Sequence, residues 1–350
     1  MYLIKVILRI YMGSFYFNNV IKVLSKTGLI TGNKLSKQPS FLVFIDSVLR
    51  GVGQVMLQNN SYTGLIFLIG IFYNSVLLGF AALLGSIVST LSAIILGVES
   101  KSIRAGLFGF NGVLVAIALL HFLEPTWITL GYVILATASS TVIMAATLNI
   151  TKTWDLPALT TPFVLTTFLF ILACARFGQL HSTGMLPAAG LPSITVSIDG
   201  IVTASTVFEG VFKGVSQVFF QSNIITGILF TIGLLINSRI ACLAALFGSL
   251  LGVLIAWGMG AAEPAIRAGA FGFNNVLTAI VFAGGIFLIN KSTAIYGVFA
   301  VIVTSFVFAA LSASLEPIGM PALTSAFILV IWLFILAAPL FSKIKLIASS

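Results

Sequence analysis

The chain has 350 residues, of which 59% are hydrophobic and only 7% are charged, and its mean hydropathy is +1.18. A soluble domain of this size cannot bury so much apolar side chain, so the composition excludes a soluble protein and indicates one that is surrounded by membrane lipid. The net charge of +9 comes from basic residues at the chain ends and in short loops. This placement favours control of membrane topology and argues against nucleic-acid binding.

A basic arm, residues 1–39, precedes the first apolar segment. It contains no acidic residue, and its basic residues are Lys5, Arg9, Lys22, Lys26, Lys34 and Lys37. Lys343 and Lys345 follow the last apolar segment, in a tail formed by residues 343–350. Because basic flanks stay on the cytoplasmic side of a membrane, we expect an integral protein of the plasma or inner membrane with both termini in the cytoplasm.

Long uncharged runs fill the rest of the chain. A spanning helix needs about 20 residues, and the first run is long enough for two helices. Apolar and polar residues do not alternate along these runs, which favours helices over the strands of a membrane barrel. The uncharged runs are residues 51–98, 105–123, 125–151, 156–175, 214–238, 240–262, 268–290, 292–315 and 317–342.

Two halves of the chain repeat each other. "GQVMLQNNSYTGLIFLIGIFYNS" from Gly53 returns as "SQVFFQSNIITGILFTIGLLINS" from Ser216, and "RAGLFGFNG" returns as "RAGAFGFNN" at the same offset. "LPALTTPF" likewise returns as "MPALTSAF". The shared polar residues indicate a duplication, with repeats at 40–178 and 200–342 and a linker at 179–199. Each repeat also keeps an acid and a base four residues apart, which predicts ion pairs on one helix face: Asp46 with Arg50, and Glu209 with Lys213.

Each repeat holds about six apolar elements. The number of these elements that span the membrane decides whether the two repeats are parallel or inverted. The segment 105–123 is short and opens with "GLFGFNG", whose glycines Gly106, Gly109 and Gly112 let the backbone leave helical geometry. We therefore expect an all-α polytopic protein with two inverted repeats, each of five transmembrane helices and one re-entrant half-helix, around a central pore. If all six elements spanned, the repeats would be parallel, and both termini would still share one side.

The pore is expected to be lined by residues that both repeats retain. None of the pairs expected to line the pore is ionisable, whereas moving protons or coupling to ions normally uses ionisable residues within the membrane. Rings, aliphatic walls, amides and hydroxyls predict a narrow slot in which each hydrogen bond lost with water costs about 1–3 kcal/mol unless it is replaced. Carbonyl oxygens at half-helix ends would accept hydrogen bonds from a small, neutral, planar solute. The pairs are Gln54/Gln217, Val55/Val218, Phe110/Phe273, Asn111/Asn274, Leu114/Leu277 and Thr160/Thr324.

Each of these residues also has a purely structural interpretation. Phenylalanines in so apolar a chain usually face lipid or the core, and a threonine in a membrane helix often bonds to a carbonyl of its own helix. Retention in both repeats favours the pore.

The repeated motifs resemble those of the urea transporter family. "LPALTTPF" fits the Leu-Pro-x-x-Thr-x-Pro-Phe signature of that family, and "GVGQV", "GLFGFNG" and "GAFGFNN" are similar to its other repeated segments. The resemblance covers residues 40–342. It implies passive, channel-type transport of urea through a selectivity filter, in a homotrimer with one pore per subunit and no cofactor or metal.

The resemblance also implies a role for each matched residue. The glutamines Gln54 and Gln217, with Val55 and Val218, match the outer binding regions, and Thr160 and Thr324 match the central site. The slot walls match Phe110, Leu114, Phe273 and Leu277. The chain departs from the family at Leu57, where an aromatic residue is usual and where its mate Phe220 keeps the ring, which predicts a wider slot on that side.

Other functions remain open at this stage. An enzyme is disfavoured, because the chain has neither a His-Glu-x-x-His nor a Gly-x-Ser-x-Gly motif. The alternatives are an ion-coupled carrier, or a channel for short amides, ammonia or water. An ammonia pore would use paired histidines, whereas His121 is matched by Gly284 and His181 lies in the linker.

Overall fold

The computed structural model describes residues 41–190, 200–288, 290–344 and 346. The basic arm predicted for residues 1–39 lies outside the described residues, as do parts of the linker and of the C-terminal tail.

Seven helices form the described part of the first repeat, residues 41–178. The fourth has five residues and the other six have 13 to 25, and a 3₁₀ turn at Lys152–Trp154 extends the sixth. The bounds are α1 Phe41–Gln54, α2 Ser61–Asn74, α3 Val76–Ile95, α4 Ser100–Arg104, α5 Phe110–Phe122, α6 Trp127–Thr151 and α7 Thr161–Cys174.

The second repeat has the same helices in the same order. Paired helices begin 163 residues apart from α1 to α5, and 164 residues apart for α6 and α7. The prediction of an all-α protein is confirmed. The bounds are α8 Ala204–Ser216, α9 Ile224–Asn237, α10 Arg239–Gly258, α11 Glu263–Arg267, α12 Phe273–Ile280, α13 Lys291–Leu315 and α14 Ser325–Ala337.

Several helices are long and apolar enough to cross a membrane. Within the described residues four helices pass by length and composition, namely Val76–Ile95, Trp127–Trp154, Arg239–Gly258 and Lys291–Ile318. The pair α8 and α9 passes together but is bent by 73° at its break, as a broken span or a re-entrant loop would be. These findings confirm a polytopic membrane protein. The count of five spans and one half-helix per repeat stays a prediction.

The predicted ion pairs are present in α1 and α8. Arg50 Nε lies 2.7 Å from the Asp46 carboxylate, and both side chains are buried. Arg50 also donates to the backbone and side-chain oxygens of Asn59, at 2.9 and 2.8 Å. The guanidinium therefore ties α1 to the turn that leads into α2. In the second repeat Lys213 lies 2.8 Å from Glu209.

A charge cluster joins α8 to α11 in the second repeat. Arg267 bonds to both Glu209 and Glu263, and the Thr206 hydroxyl donates to Glu263 at 2.6 Å. The Thr206 hydroxyl and, after it, the Arg267 guanidinium hold the pKa of Glu263 below its usual range. The first repeat has Ser100 in place of Glu263, so one acid of this cluster is not repeated.

The repeats meet along α2 and α9. The rings of Phe67 and Phe230, which are mates at an offset of 163, lie 5.0 Å apart. Thr63 donates its hydroxyl to the Gly233 carbonyl at 2.8 Å, and Thr226 donates to the Gly70 carbonyl at 3.0 Å. Each contact thus has a reciprocal partner, as at an interface built around a two-fold axis.

The repeated glutamines that are not predicted to line the pore belong to the same interface. Asn74 donates to the side-chain oxygen of Gln221 at 2.7 Å, and Asn237 donates to that of Gln58 at the same distance. Gln58 and Gln221 are fully enclosed. Their retention in both repeats is therefore explained by the contact between the repeats.

Of the three glycines in "GLFGFNG", one leaves helical geometry. Gly106 has φ +73° and its mate Gly269 has φ +80°, and a side chain on either would collide with the backbone of α1 or α8. Gly109 and Gly112 do not have positive φ, so the expectation that they break the helix is wrong. Gly112 instead allows close packing, because a Cβ there would lie 1.8 Å from Ser89 Oγ on α3.

We predict that Gly106→Ala destabilises the protein. An alanine at φ +73° is strained, by about 1–3 kcal/mol, and its Cβ would lie 2.5 Å from the backbone carbon of Arg50. The matched control is Gly131→Ala on α6, where the added methyl group meets no atom within 4 Å. Thermal unfolding of the detergent-solubilised protein should show a lower midpoint for Gly106→Ala alone. Equal midpoints for the two variants would contradict this account.

Candidate functional site

A cavity of about 350 Å³ lies in the second repeat and reaches the contact between the repeats. We call it the second-repeat cavity. Its walls are mostly aromatic and aliphatic, with a few polar groups. It is lined by Phe163, Pro187, Gln217, Val218, Phe220, Phe273, Phe308, Ser312, Glu316, Met320, Pro321, Ala322, Leu323 and Thr324.

Two threonines meet at the inner side of this cavity. The hydroxyls of Thr160 and Thr324 are 2.7 Å apart, and both residues are at most 3% exposed. We call them the threonine pair. They are mates at an offset of 164, so the hydrogen bond between them crosses from one repeat to the other. The structural interpretation, in which each hydroxyl bonds to a carbonyl of its own helix, is therefore wrong.

Each threonine precedes a helix without capping it. Thr160 and Thr324 occupy the N-cap positions of α7 and α14, where a threonine oxygen normally accepts from the N–H of the second or third helical residue. Neither side chain makes such a bond. Their hydroxyls are therefore available to each other and to a solute.

Two asparagines take over the capping role. The side-chain oxygen of Asn111 accepts from the N–H of Phe163 at 3.1 Å, and that of Asn274 accepts from the N–H of Phe327 at the same distance. Phe163 and Phe327 are the third residues of α7 and α14, so these are the N–H groups that a threonine cap would satisfy. The asparagines, at the start of α5 and α12, thereby release the threonine pair.

A left-handed residue turns the chain just before each threonine. Leu159 has φ +49° and Leu323 has φ +50°, which is an uncommon conformation for a residue with a side chain. Asn274 supports one of these turns by donating to the Leu323 carbonyl at 3.1 Å. In the first repeat the Asn111 amide instead contacts the sulfur of Met144 at 3.5 Å. The two turns are thus alike in backbone and different in support.

The glutamines predicted for the outer regions are fixed by matching hydrogen bonds. Gln54 donates to the Ala105 carbonyl at 2.8 Å, and Gln217 donates to the Ala268 carbonyl at 3.1 Å. Both carbonyls directly precede the left-handed glycines. Each glutamine is therefore held against the loop that leads into α5 or α12, and Gln217 lines the second-repeat cavity.

The two ends differ in their aromatic residues. Phe220, at φ +59°, stands edge to face with Phe163 at 6.3 Å, and Phe273 stands edge to face with Phe308 at 5.3 Å. In the first repeat the mates of Phe220 and Phe308 are Leu57, which has φ +61°, and Met144. The other two rings have aromatic mates, since Phe273 is matched by Phe110 and Phe163 by Phe327.

The structure places the predicted pore residues in two groups. Gln217, Val218, Phe220, Phe273 and Thr324 line the second-repeat cavity, and Thr160 contacts Thr324. The mates Gln54, Val55, Leu57 and Phe110 occupy the corresponding positions of the first repeat and do not line this cavity. Leu114 and Leu277 are 0% exposed, inside α5 and α12.

Among the lining residues that were not predicted are two aromatic residues. Phe163 belongs to "LPALTTPF" and has the mate Phe327, so its repetition was an available signal. Phe308 is matched by Met144, so repetition gave no signal for it. The capping role of Asn111 and Asn274 was also missed, although the pair itself was recognised as repeated.

We predict that Asn274→Ala lowers the free energy of unfolding by about 1–2 kcal/mol, because the Phe327 N–H would lose its acceptor. The matched control is Asn149→Ala, since Asn149 is exposed on α6. Chemical denaturation of both variants in the same detergent measures the difference. If Asn274→Ala is no less stable than the control, the asparagine does not cap α14.

Comparison with known proteins matches almost the whole described chain. A family model described as urea transporter matches residues 45–339. The chain is 29% identical over 319 residues to urea transporter 1 of Ovis aries, which is 88% of this chain and 82% of that protein. The match to urea transporter 1 of Rattus norvegicus has the same identity, length and coverage, and the Mus musculus protein is 28% identical over 319 residues. The matched range includes nearly all of both repeats and all residues predicted to line the pore.

Proposed function

The chain belongs to the urea transporter family, and we propose that it is a passive channel through which urea crosses the membrane down its concentration gradient. The observation that carries this proposal is the threonine pair, whose hydroxyls are buried, released from capping and joined across the two repeats. Hydroxyls both donate and accept hydrogen bonds, as recognition of urea requires, since urea has N–H donors and a carbonyl acceptor.

The proposed pathway runs from one repeat to the other through the threonine pair. The second-repeat cavity is lined by Gln217 and Phe273 and not by their mates Gln54 and Phe110. A pathway along the pseudo-two-fold axis would bring mates together at one level. A pathway that crosses the axis would instead place the two members of each pair at its opposite ends, which fits a cavity lined by one member only. A transmembrane pathway of this kind requires an axis in the membrane plane, and therefore inverted repeats.

The burial of α5 supports the proposed re-entrant half-helix. All residues of Phe110–Phe122 except His121 are buried, and the helix has no polar face. A helix that is apolar on all sides and enclosed by protein is a core element. Its 13 residues are also too few to span a membrane, which takes about 20. We propose that α5 and α12 enter the bilayer from opposite sides and carry the slot walls to the threonine pair.

Selection for urea follows from dehydration in this slot. Phenyl and aliphatic walls cannot replace the hydrogen bonds that a solute makes with water. A solute in the slot therefore needs fixed polar groups that restore those hydrogen bonds. The glutamine amides would meet urea at the two ends, and the threonine pair would meet it in the middle. A passing urea would exchange the hydrogen bond between the two threonines for bonds to itself. Charged solutes would be excluded, because the slot offers them no compensating charge at its centre.

An ion-coupled carrier would need a different set of residues. Intramembrane Asp, Glu, His or Arg facing the pathway normally provides the coupling. The pairs that are predicted to line the pore contain amides, hydroxyls, rings and aliphatic groups and no ionisable residue. We therefore propose that urea flux depends on the urea gradient alone.

Three further expectations stay predictions. They are the homotrimer, the plasma or inner membrane as location, and the cytoplasmic position of both termini. Native mass spectrometry of the detergent complex measures the first, and accessibility of cysteines introduced at the two ends of the chain measures the last.

We predict that the double variant Thr160→Val/Thr324→Val loses urea permeability, by about tenfold or more, because two hydrogen bonds to the solute disappear at the narrowest point. The matched control is Thr160→Ser/Thr324→Ser, which keeps both hydroxyls. Stopped-flow light scattering on proteoliposomes compares urea, glycerol and water for each protein. Equal urea permeability in the valine and serine variants would show that the threonine pair is not on the pathway.

We also predict that Phe220→Leu makes the channel less selective for urea over acetamide, since the variant has at this position the leucine that the first repeat has at Leu57. The ratio of acetamide to urea permeability should rise several-fold when one ring of the cavity wall is removed. Phe80→Leu on α3 is the control, because Phe80 is 61% exposed on the outer surface. An unchanged ratio in Phe220→Leu would mean that this ring does not select the solute.

A further inference from the structure

The second-repeat cavity contains one carboxylate whose role in urea passage is not evident. Glu316 lines the cavity and is partly buried. No hydrogen bond or ion pair joins its side chain to another described residue, although carboxylates that lose water usually gain such partners.

Four rings share the cavity with this carboxylate. Phe163 and Phe220 form one edge-to-face pair with an interplanar angle of 84°, and Phe273 and Phe308 form another with an angle of 83°. Rings arranged in this way present faces in more than one direction. The face of an aromatic ring attracts cations, and a carboxylate adds a charged acceptor. Rings combined with a carboxylate are the composition of a site for a small organic cation.

We propose that the second-repeat cavity binds planar organic cations of the guanidinium class, and that such cations block the urea pathway. The proposal rests on the proposed function, because block requires that urea passes through this cavity. Guanidinium has the flat three-branched shape of urea but carries a charge and only donors. Its N–H groups match a carboxylate in paired hydrogen bonds, and its faces can lie against the rings.

A bound guanidinium would stop in the cavity rather than permeate. The threonine pair forms part of the wall of this cavity, and both of its hydroxyls are buried. Moving the cation past the pair would separate it from Glu316 and leave its charge uncompensated at membrane depth. The cation therefore occupies the entrance that urea uses.

The first repeat cannot form the same site. At an offset of 164 the mate of Glu316 is Lys152 and the mate of Phe308 is Met144, while Phe220 is replaced by Leu57. The corresponding end thus loses two rings and has a cation in place of the carboxylate. The site belongs to one end of the pathway, and Lys152 offers a matched control.

The experiment measures urea permeability and guanidinium binding on the same preparations. Stopped-flow light scattering follows urea flux in proteoliposomes at increasing millimolar guanidinium chloride, with sodium chloride added to keep ionic strength constant. Isothermal titration calorimetry measures guanidinium binding to the full-length protein in detergent. The proteins are wild type, Glu316→Gln, Phe308→Met and Lys152→Gln, and each flux is normalised to that protein's own flux without guanidinium.

We expect guanidinium to block wild type, and the half-blocking concentration to rise by about tenfold in Glu316→Gln, as for the loss of a charge-assisted hydrogen bond. Phe308→Met should weaken block by a smaller factor, and Lys152→Gln should leave it unchanged. Block that is equal in wild type and Glu316→Gln would overturn the proposal. Normal urea flux with neither block nor guanidinium binding would also overturn it while leaving the channel intact.

Loss of urea flux in every protein would instead contradict the proposed function. Calorimetry then still decides the cation site, because binding that depends on Glu316 does not require permeation.

Discussion

The hydrogen bond between Thr160 and Thr324 is the interaction on which the rest of the pathway depends. The two hydroxyl oxygens are 2.7 Å apart, and their bond holds the starts of α7 and α14 against each other deep in the protein. Helix starts have N–H groups without partners, and a threonine at the cap position would ordinarily satisfy them with its own oxygen. Here Asn111 and Asn274 supply that oxygen from neighbouring helices. The fold thus keeps both helices capped and leaves two hydroxyls for recognition.

The duplicated sequence predicted much of this arrangement. Retained polar residues identified the repeats, the acid–base spacing predicted the contact between Asp46 and Arg50, and the apolar runs predicted the helices. The cap exchange could not be predicted, because Asn111 and Phe163 are 52 residues apart and meet only when α5 packs beside α7. The glycine pattern misled in part. Gly112 is required by close contact with Ser89 and not by a break in the helix, and the two causes have the same sequence signature.

The two repeats are alike in backbone and have diverged in side chains. The left-handed residues recur in pairs, at Leu57 and Phe220 and at Leu159 and Leu323, so the turns that shape the pathway are common to both repeats. The residues carried by the walls differ. Phe308 replaces a methionine and Glu316 replaces a lysine, so one end is aromatic and acidic while the other is aliphatic and basic. In the proposed pathway, a shared backbone therefore carries two ends with different chemistry.

The central claim is that urea moves passively, and it is tested most directly by the steady-state distribution of urea across proteoliposomes with an imposed proton or sodium gradient. Radiolabelled urea is supplied at equal concentration on both sides, and its internal concentration is followed after the ion gradient is applied. The account predicts that the two concentrations stay equal, and that a urea gradient imposed alone dissipates quickly. Accumulation of urea on one side, driven by either ion gradient, would contradict a channel and indicate a coupled carrier.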